Sequence, residues 1–226
     1  MTPMTGIRAC VFDAYGTIFD LASATARCAA IPEDKRAALT ALWRDKQLQY
    51  TWLRSLQGCH ADFEQITADA LDFALASLDL EGLDCRQQLL SLFLHVQAFP
   101  EVAETLRQLR AAGRVTAILS NGTPSMLEAA IQASGLQGLF DAVLSAEAVQ
   151  VFKTHPRVYA YALQQLQLSA EQIVFQSANG WDAYAASAFG MRVVWCNRYG
   201  QRPERLPGAP DHEIASLAEL PALLGI

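Results

Sequence analysis

Cysteine is sparse and unpatterned in this chain of 226 residues. The five, Cys10, Cys28, Cys59, Cys85 and Cys196, are scattered and form no C-x-x-C. That spacing argues against a disulfide framework and against cysteine-ligated zinc. Cys10 and Cys196 lie in apolar, strand-like runs and read as small core side chains. The four histidines, His60, His95, His155 and His212, show no metal-ligand spacing, and no role falls to any of them. Positive charge is also short: 17 Lys and Arg stand against 23 Asp and Glu, a net charge of −6. A nucleic-acid footprint is therefore not expected. No apolar run approaches the roughly 18–20 residues a membrane helix needs, so no membrane contact is expected either. The opening MTPMTGIRAC lacks a basic region followed by a long apolar stretch, so no secretory signal is read and a cytoplasmic location is expected. Internal repeats, low-complexity tracts and a G-x-S-x-G elbow are missing as well.

What the chain does have is apolar content, 52% of residues, enough to bury a substantial core at this length. Arg8–Phe12 (RACVF) is a short apolar run ending at Asp13 and a Gly16-Thr17 turn, which predicts a buried strand. From Ala22 to about Gln97 the texture becomes helical, as in ALTALWRDKQLQYTWLRSL, FEQITADALDFALASL and CRQQLLSLFLHVQ. Beyond Phe99 strand and helix alternate. Helices are predicted over 101–112, 125–134, 156–166, 182–189 and 217–224, and strands over 115–119, 142–144, 173–175 and 192–195. The Pro-rich RPERLPGAPD (202–211) reads as a surface loop. Repeated βα units imply an α/β, Rossmann-like parallel sheet with helices on both faces, whose ligands bind beyond the carboxyl ends of the strands. The expected division is a core of residues 1–18 and 98–226 carrying an all-helical cap, residues 19–97, inserted after the first strand.

Polar residues collect at that rim. Asp13, at a strand end, is either a covalent nucleophile or an Asx-turn residue organising its own loop. Ser120-Asn121-Gly122 offers a hydroxyl, an amide and backbone N–H groups before a helix, suited to an anion or simply to a helix cap. Lys153 follows VQVF and is functional or merely solvated. Ser177, Asn179 and Asp182 fall in QSANGWD at another strand end, where Asp182 has a structural alternative as a first-turn acid favoured by the helix dipole. Arg44 sits among helical aromatics, where stacking or surface exposure would equally explain it. The stripe Leu48, Tyr50, Trp52, Phe63 is packing or a binding surface.

In this order, VFDAYGTIFD, WRDKQLQYTWLRSLQG, AILSNGTPSML, VFKTHPRVYAYAL and SANGWDA resemble the L-2-haloacid dehalogenases of the haloacid dehalogenase superfamily. The likeness runs across nearly the whole chain. It implies hydrolysis of a small halogenated carboxylic acid, without metal or other cofactor, to a 2-hydroxy acid of inverted configuration. By resemblance Asp13 attacks the α-carbon, Lys153 neutralises Asp13, and Arg44 receives the halide. Ser120 and backbone N–H groups near Ala14, Tyr15 and Asn121 would bind the substrate carboxylate. Asp182, with Asn179 and Ser177, would position or activate water, and Thr17 and Tyr159 would orient the network. Tyr15, Leu48, Phe63 and Trp181 would line the apolar pocket. As in relatives, a homodimer is expected, with Leu39, Leu42 and Trp43 in an apolar surface, unless a monomer buries them.

Superfamily phosphatases carry D-x-D-G-T, whereas Tyr15 stands two residues beyond Asp13 and removes both an acid and a magnesium ligand. A phosphatase and a catalytically silent binding protein are the alternatives. Four departures from the dehalogenase pattern stand out. Asp45 replaces a common Gln and is expected to weaken halide acceptance by Arg44. Thr154 replaces a Pro, and Gln176 and Ala178 alter the last motif.

Overall fold

Runs such as ACVF and IVFQS are apolar on both faces, which only a strand covered on both sides tolerates. The computed structural model, which describes residues 3–21 and 28–226, places them in the middle of a parallel sheet. Strand β1 (Ala9–Phe12) is buried at every position and pairs on one side with β4 (Val115–Ser120) and on the other with β6 (Ile173–Ser177). The sheet reads β5-β4-β1-β6-β7-β8, with β5 at Ala142–Ser145, β7 at Arg192–Cys196 and β8 at His212–Ile214, every pair parallel. Cys10 and Cys196 are fully buried within it. The chain passes from β1 to β4 and β5 on one side and then to β6 on the other. The order therefore reverses at β1, which opens a crevice beyond its carboxyl end. The expected α/β, Rossmann-like architecture is the observed one.

Three differences from the sequence reading concern short elements. Strand β8 was missed because three residues carry no readable period. Ser120 and Ser177, expected beyond their strands, are the last residues of β4 and β6. Leu217–Leu224 is not one helix but a 3₁₀ turn at Leu217–Glu219 leading into a single α-helical turn at Leu220–Leu223.

The helical segment begins with α1 (Glu33–Gln57), which has Glu33 and Asp34 in its first turn and stops at Gly58 in the left-handed conformation, φ 66°. Helix α2 (Phe63–Ser77) starts on Asp62, whose side chain accepts from the Gln65 N–H at 2.7 Å. Leu39, Trp43, Gln47 and Thr51, each four residues apart, are the buried stripe of α1. Leu39 and Trp43 are thus buried inside the chain, because the α1–α2 contact uses this face, and neither is available to a dimer surface. The large exposed apolar side chains of α1 are Leu53 and Leu56. The run CRQQLLSLFLHVQ is α-helical only over α3 (Arg86–Ser91) and continues in turns. Gln97–Ala98 is strand β3, paired antiparallel with β2 (Phe19–Asp20), a ribbon where the chain leaves and re-enters the sheet unit. The start of the predicted helical stretch, residues 22–27, lies outside the described residues.

The remaining helices are α4 (Val102–Ala111), α5 (Pro124–Ala133), α6 (Pro156–Leu166), α7 (Gly180–Phe189) and α8, the Leu220–Leu223 turn. Thr123 and His155 cap α5 and α6, each before a proline that starts its helix. Among the described residues no helix is long and apolar enough to cross a membrane.

Candidate active site

Asp13 is the first residue past β1, held in register by its N–H bond to Gln176 O at 2.8 Å. Its carboxylate is almost buried, and two sides of the crevice supply its partners. Oδ2 accepts from Thr17 Oγ1 at 3.1 Å, Ser177 Oγ at 3.3 Å and Asn179 Nδ2 at 2.8 Å. Oδ1 accepts from Lys153 Nζ at 2.9 Å. The donors are themselves fixed: Thr17 Oγ1 accepts from Ala178 N–H at 2.7 Å, and Ser177 Oγ accepts from Asn179 N–H at 3.1 Å. The Asx-turn alternative does not describe this carboxylate, whose donors include groups brought from far along the chain.

Lys153 is 1% exposed and bridges two carboxylates, reaching Asp182 Oδ2 at 2.7 Å as well as Asp13. Burial alone would lower its pKa, but Asp13 and Asp182 outweigh that and hold it above the ordinary lysine value, so the ammonium is charged at neutral pH. Asp182, fully buried in the first turn of α7, has a raised pKa, chiefly from burial and partly offset by Lys153. Its Oδ1 accepts from Tyr159 OH at 2.8 Å, and burial, reinforced by Asp182, pushes that phenol far up. Both carboxylates thus share one ammonium, which fills the space between them. Among the described residues no group of three or more His, Cys, Asp or Glu side chains is placed to hold a metal ion.

The opposite wall comes from the helical segment. Arg44 on α1 donates through Nη2 to Asn179 Oδ1 at 3.4 Å and through Nη1 to Gln47 Oε1 at 2.7 Å. Gln47 Nε2 in turn donates to Thr67 Oγ1 of α2 at 2.7 Å, and Trp43 Nε1 donates to Thr67 O at 2.9 Å. Burial lowers the Arg44 pKa, against the pull of Asp13, Asp182 and Asp45, yet a guanidinium stays charged. Asp45 is exposed, and its pull on Arg44 is the weakest of the three.

Asp13, Tyr15, Arg44, Phe63, Ser120, Asn121, Lys153 and Trp181 enclose a cavity of about 20 Å³, room for little more than one water. A larger cavity of about 210 Å³, which Asn179 also lines, adjoins it across Tyr15 and Arg44. Ser120 Oγ accepts from Gly122 N–H at 3.1 Å, and Asn121 Oδ1 accepts from Lys153 N–H at 2.9 Å. Among the described residues the backbone N–H groups of Ala14, Tyr15 and Asn121 have no protein acceptor, which leaves three donors for an anion. Tyr15 OH is likewise buried without a partner, and its pKa is raised by that burial. Leu48 is half-buried on α1 and is not among the residues lining the small cavity. Sequence reading missed Gln47 and Thr67, which hold Arg44, and Arg198, whose Nη2 donates to Thr17 O at 2.8 Å. Gln47 had one usable signal, its place in the four-residue spacing Leu39, Trp43, Gln47 of a predicted helical stretch; Arg198 had none.

The haloacid dehalogenase-like hydrolase model matches residues 7–190. (S)-2-haloacid dehalogenase 4A of Burkholderia cepacia is 43% identical over 221 residues, 96% of this chain and 95% of that protein. A crystal structure of an L-2-haloacid dehalogenase superposes with a TM-score of 0.94 at 43% identity, covering 98% of this chain and all of the other. The L-2-haloacid dehalogenase of Xanthobacter autotrophicus, solved with chloropropionic acid covalently bound, superposes with a TM-score of 0.90 at 36% identity, covering 97% and 98% of the two chains. With a strand-end Asp13, a bridging Lys153 and a match across most of its length, the chain belongs to the haloacid dehalogenase-like hydrolase family.

Proposed function

We propose that the protein hydrolyses short L-2-haloalkanoic acids to D-2-hydroxy acids by covalent catalysis at Asp13, with no metal. The observation that carries this reading is the bridging ammonium: Lys153 lies 2.9 Å from Asp13 and 2.7 Å from Asp182. An anionic nucleophile attacking an anionic substrate meets a repulsion of about 4 kcal/mol at 4 Å and an effective dielectric of 20. Lys153 and Arg44 supply the opposing charge. In this reading residues 19–97 cap a catalytic core made of residues 1–18 and 98–226, and substrate is enclosed between the two.

The substrate carboxylate binds Ser120 and the N–H groups of Ala14, Tyr15 and Asn121. Asp13 Oδ1 carries one hydrogen bond against three on Oδ2, so Oδ1 is the freer nucleophile. It displaces halide from the α-carbon from behind, and the carbon–halogen bond breaks toward Arg44. Phe63, Trp181 and Tyr15 keep water away from that step. In the resulting ester Oδ2 is the carbonyl oxygen. Thr17, Ser177 and Asn179 already donate to it and stabilise the negative charge it gains when water attacks the carbonyl carbon. Asp182 takes one proton from that water and passes it to Oδ1 as the bond from the carbonyl carbon to Oδ1 breaks, so that Oδ1 leaves as the hydroxyl oxygen of the product. The water's second proton is lost to solvent, which returns Asp13 as a carboxylate. Tyr159 and Lys153 hold Asp182 for this role.

The test is halide release from each enantiomer of 2-chloropropionate in the presence of EDTA. The expected result is chloride and D-lactate from the L-enantiomer alone. Release that stops with EDTA, or phosphate release from a generic ester with magnesium in its place, overturns the reading.

A further inference from the structure

We propose that Glu147 is a positioning residue that holds the helical segment closed over the site, through His60 and the start of α2. Glu147 lies in the 3₁₀ turn after β5, where its N–H donates to Ser145 Oγ at 3.2 Å and Ser145 Oγ donates to Gly122 O at 2.7 Å. Its carboxylate is therefore anchored to the sheet side. Both oxygens reach across to the helical segment: Oε1 accepts from Phe63 N–H at 2.9 Å, and Oε2 lies 2.8 Å from His60 Nε2. Phe63 is the first residue of α2, so the carboxylate meets one of the unpaired N–H groups of a helix start and the positive end of its dipole.

The two bonds bear on opposite walls of the catalytic cavity. Phe63 lines it directly. The His60 ring stacks on Phe152, with centroids 5.2 Å apart and planes 26° apart, and Phe152 immediately precedes Lys153. Phe152 also packs against Phe63 at 6.1 Å and donates its N–H to Ser55 Oγ of α1 at 3.0 Å. His60 Nδ1 is buried without a partner, so Glu147 is the one side-chain hydrogen bond that orients the ring among the described residues. One carboxylate on the sheet side thus sets Phe63 and, through the ring, the segment that delivers Lys153. Its consequence is a closed fraction: substrate binds the closed form, and loss of the clasp lowers that fraction in the free protein.

The proposal rests on the haloacid reading for its kinetic test. A fall in the closed fraction raises KM by the same factor and leaves kcat nearly unchanged, because saturating substrate restores closure. Glu147→Ala is expected to raise KM for L-2-chloropropionate about tenfold, with kcat within about twofold of the parent. Glu147→Gln keeps an oxygen for the Phe63 N–H and an amide for the His60 ring, and is expected to stay near the parent. His60→Ala, outside both helices, is expected to raise KM, and the double variant to show less than the product of the two effects. An unchanged KM in Glu147→Ala, or independent multiplication of the two effects, overturns the proposal. Closure is also readable without turnover. Trp52 of α1 and Trp181 of α7 meet edge-to-face at 5.6 Å across the same boundary. Acrylamide quenching of tryptophan fluorescence is expected to increase in Glu147→Ala and His60→Ala but not in Glu147→Gln. Unchanged quenching overturns the clasp even if no haloacid is turned over, whereas parent protein that releases no halide but shows the quenching difference overturns the haloacid reading alone.

Discussion

At the scale of single residues, the site is organised by how few charges serve many contacts. Asp13 takes four donors and Lys153 two carboxylates. Asp13→Asn keeps the size of the side chain but removes the carboxylate that the proposed reaction uses as its nucleophile. Halide release is expected to fall by on the order of a thousandfold or more, with the far-ultraviolet circular dichroism unchanged. Retained turnover in the pure variant would remove Asp13 from the nucleophile role. The pKa directions set the pH limits. Lys153 is held above its ordinary 10.5 by Asp13 and Asp182. A raised pKa means the folded protein prefers the protonated form, so the stabilisation is full below 10.5 and is lost as pH climbs through the higher folded value. The alkaline limb of the rate profile is therefore expected above pH 10.5, as far as the protein stays folded. Asp182, raised chiefly by burial, protonates above 3.8 on acidification, so the acid limb begins above that value. An alkaline limb near pH 8 in halide-release assays would contradict the bridging ammonium.

Among the elements, strands deliver the Asp13 side of the site and helices the Arg44 side. β1 ends at Phe12, one residue before Asp13, and β4 and β6 end at Ser120 and Ser177; a register that pairs Phe12 with Ile118 and with Gln176 brings all three groups to one rim. Arg44 reaches the same crevice from α1, and a relay to Gln47 and Thr67 fixes its direction by tying α1 to α2. Thr67→Val preserves shape but strands the buried Gln47 amide. Urea denaturation is expected to show a loss of about 1–3 kcal/mol, and haloacid KM to rise as Arg44 loses its support. A variant as stable and as tight as the parent would make the relay ornamental. Gly16, φ 89°, shapes the turn between β1 and Thr17 in a conformation that favours glycine, which is how Thr17 returns to face Asp13.

On the scale of the molecule, the site lies at the seam between a parallel sheet and a helical layer, so occupancy is coupled to how the two meet. Arg44 and Phe63 line the cavity from one side and Ser120 and Lys153 from the other. Under the proposed reaction, folded Asp13→Asn binds a 2-haloacid without consuming it, because Ser120, the neighbouring N–H groups and Arg44 remain. L-2-chloropropionate at a hundred times its Kd is expected to stabilise that variant by about 2.7 kcal/mol, seen as a rise in Tm. No shift would place the acid elsewhere or nowhere.

Much of this was readable along the chain. ACVF, VTAILS and IVFQS announce buried strands through their own composition, and a polar group stands at the end of each: Asp13 just past the first, Ser120 and Ser177 closing the other two. Asp13 and Asp182 could be singled out because a strand end or a helix start is a local pattern, whereas Lys153 stood out only through the resemblance to the dehalogenases. Other features were decided only in three dimensions. Strand β8 and the β2–β3 ribbon are too short to carry a period, and they exist because partners far along the chain supply their hydrogen bonds. Leu39 and Trp43 belong to an apolar stripe whether it faces α2 or a second molecule, and only packing chose α2. Lys153 reaches Asp13 across 140 residues, and His60 reaches Glu147 across 87. Local sequence sets backbone preference and which face of an element is apolar. Which charges share a buried crevice is settled by the return path of the chain, where burial turns an ordinary lysine or histidine into one with a specific partner.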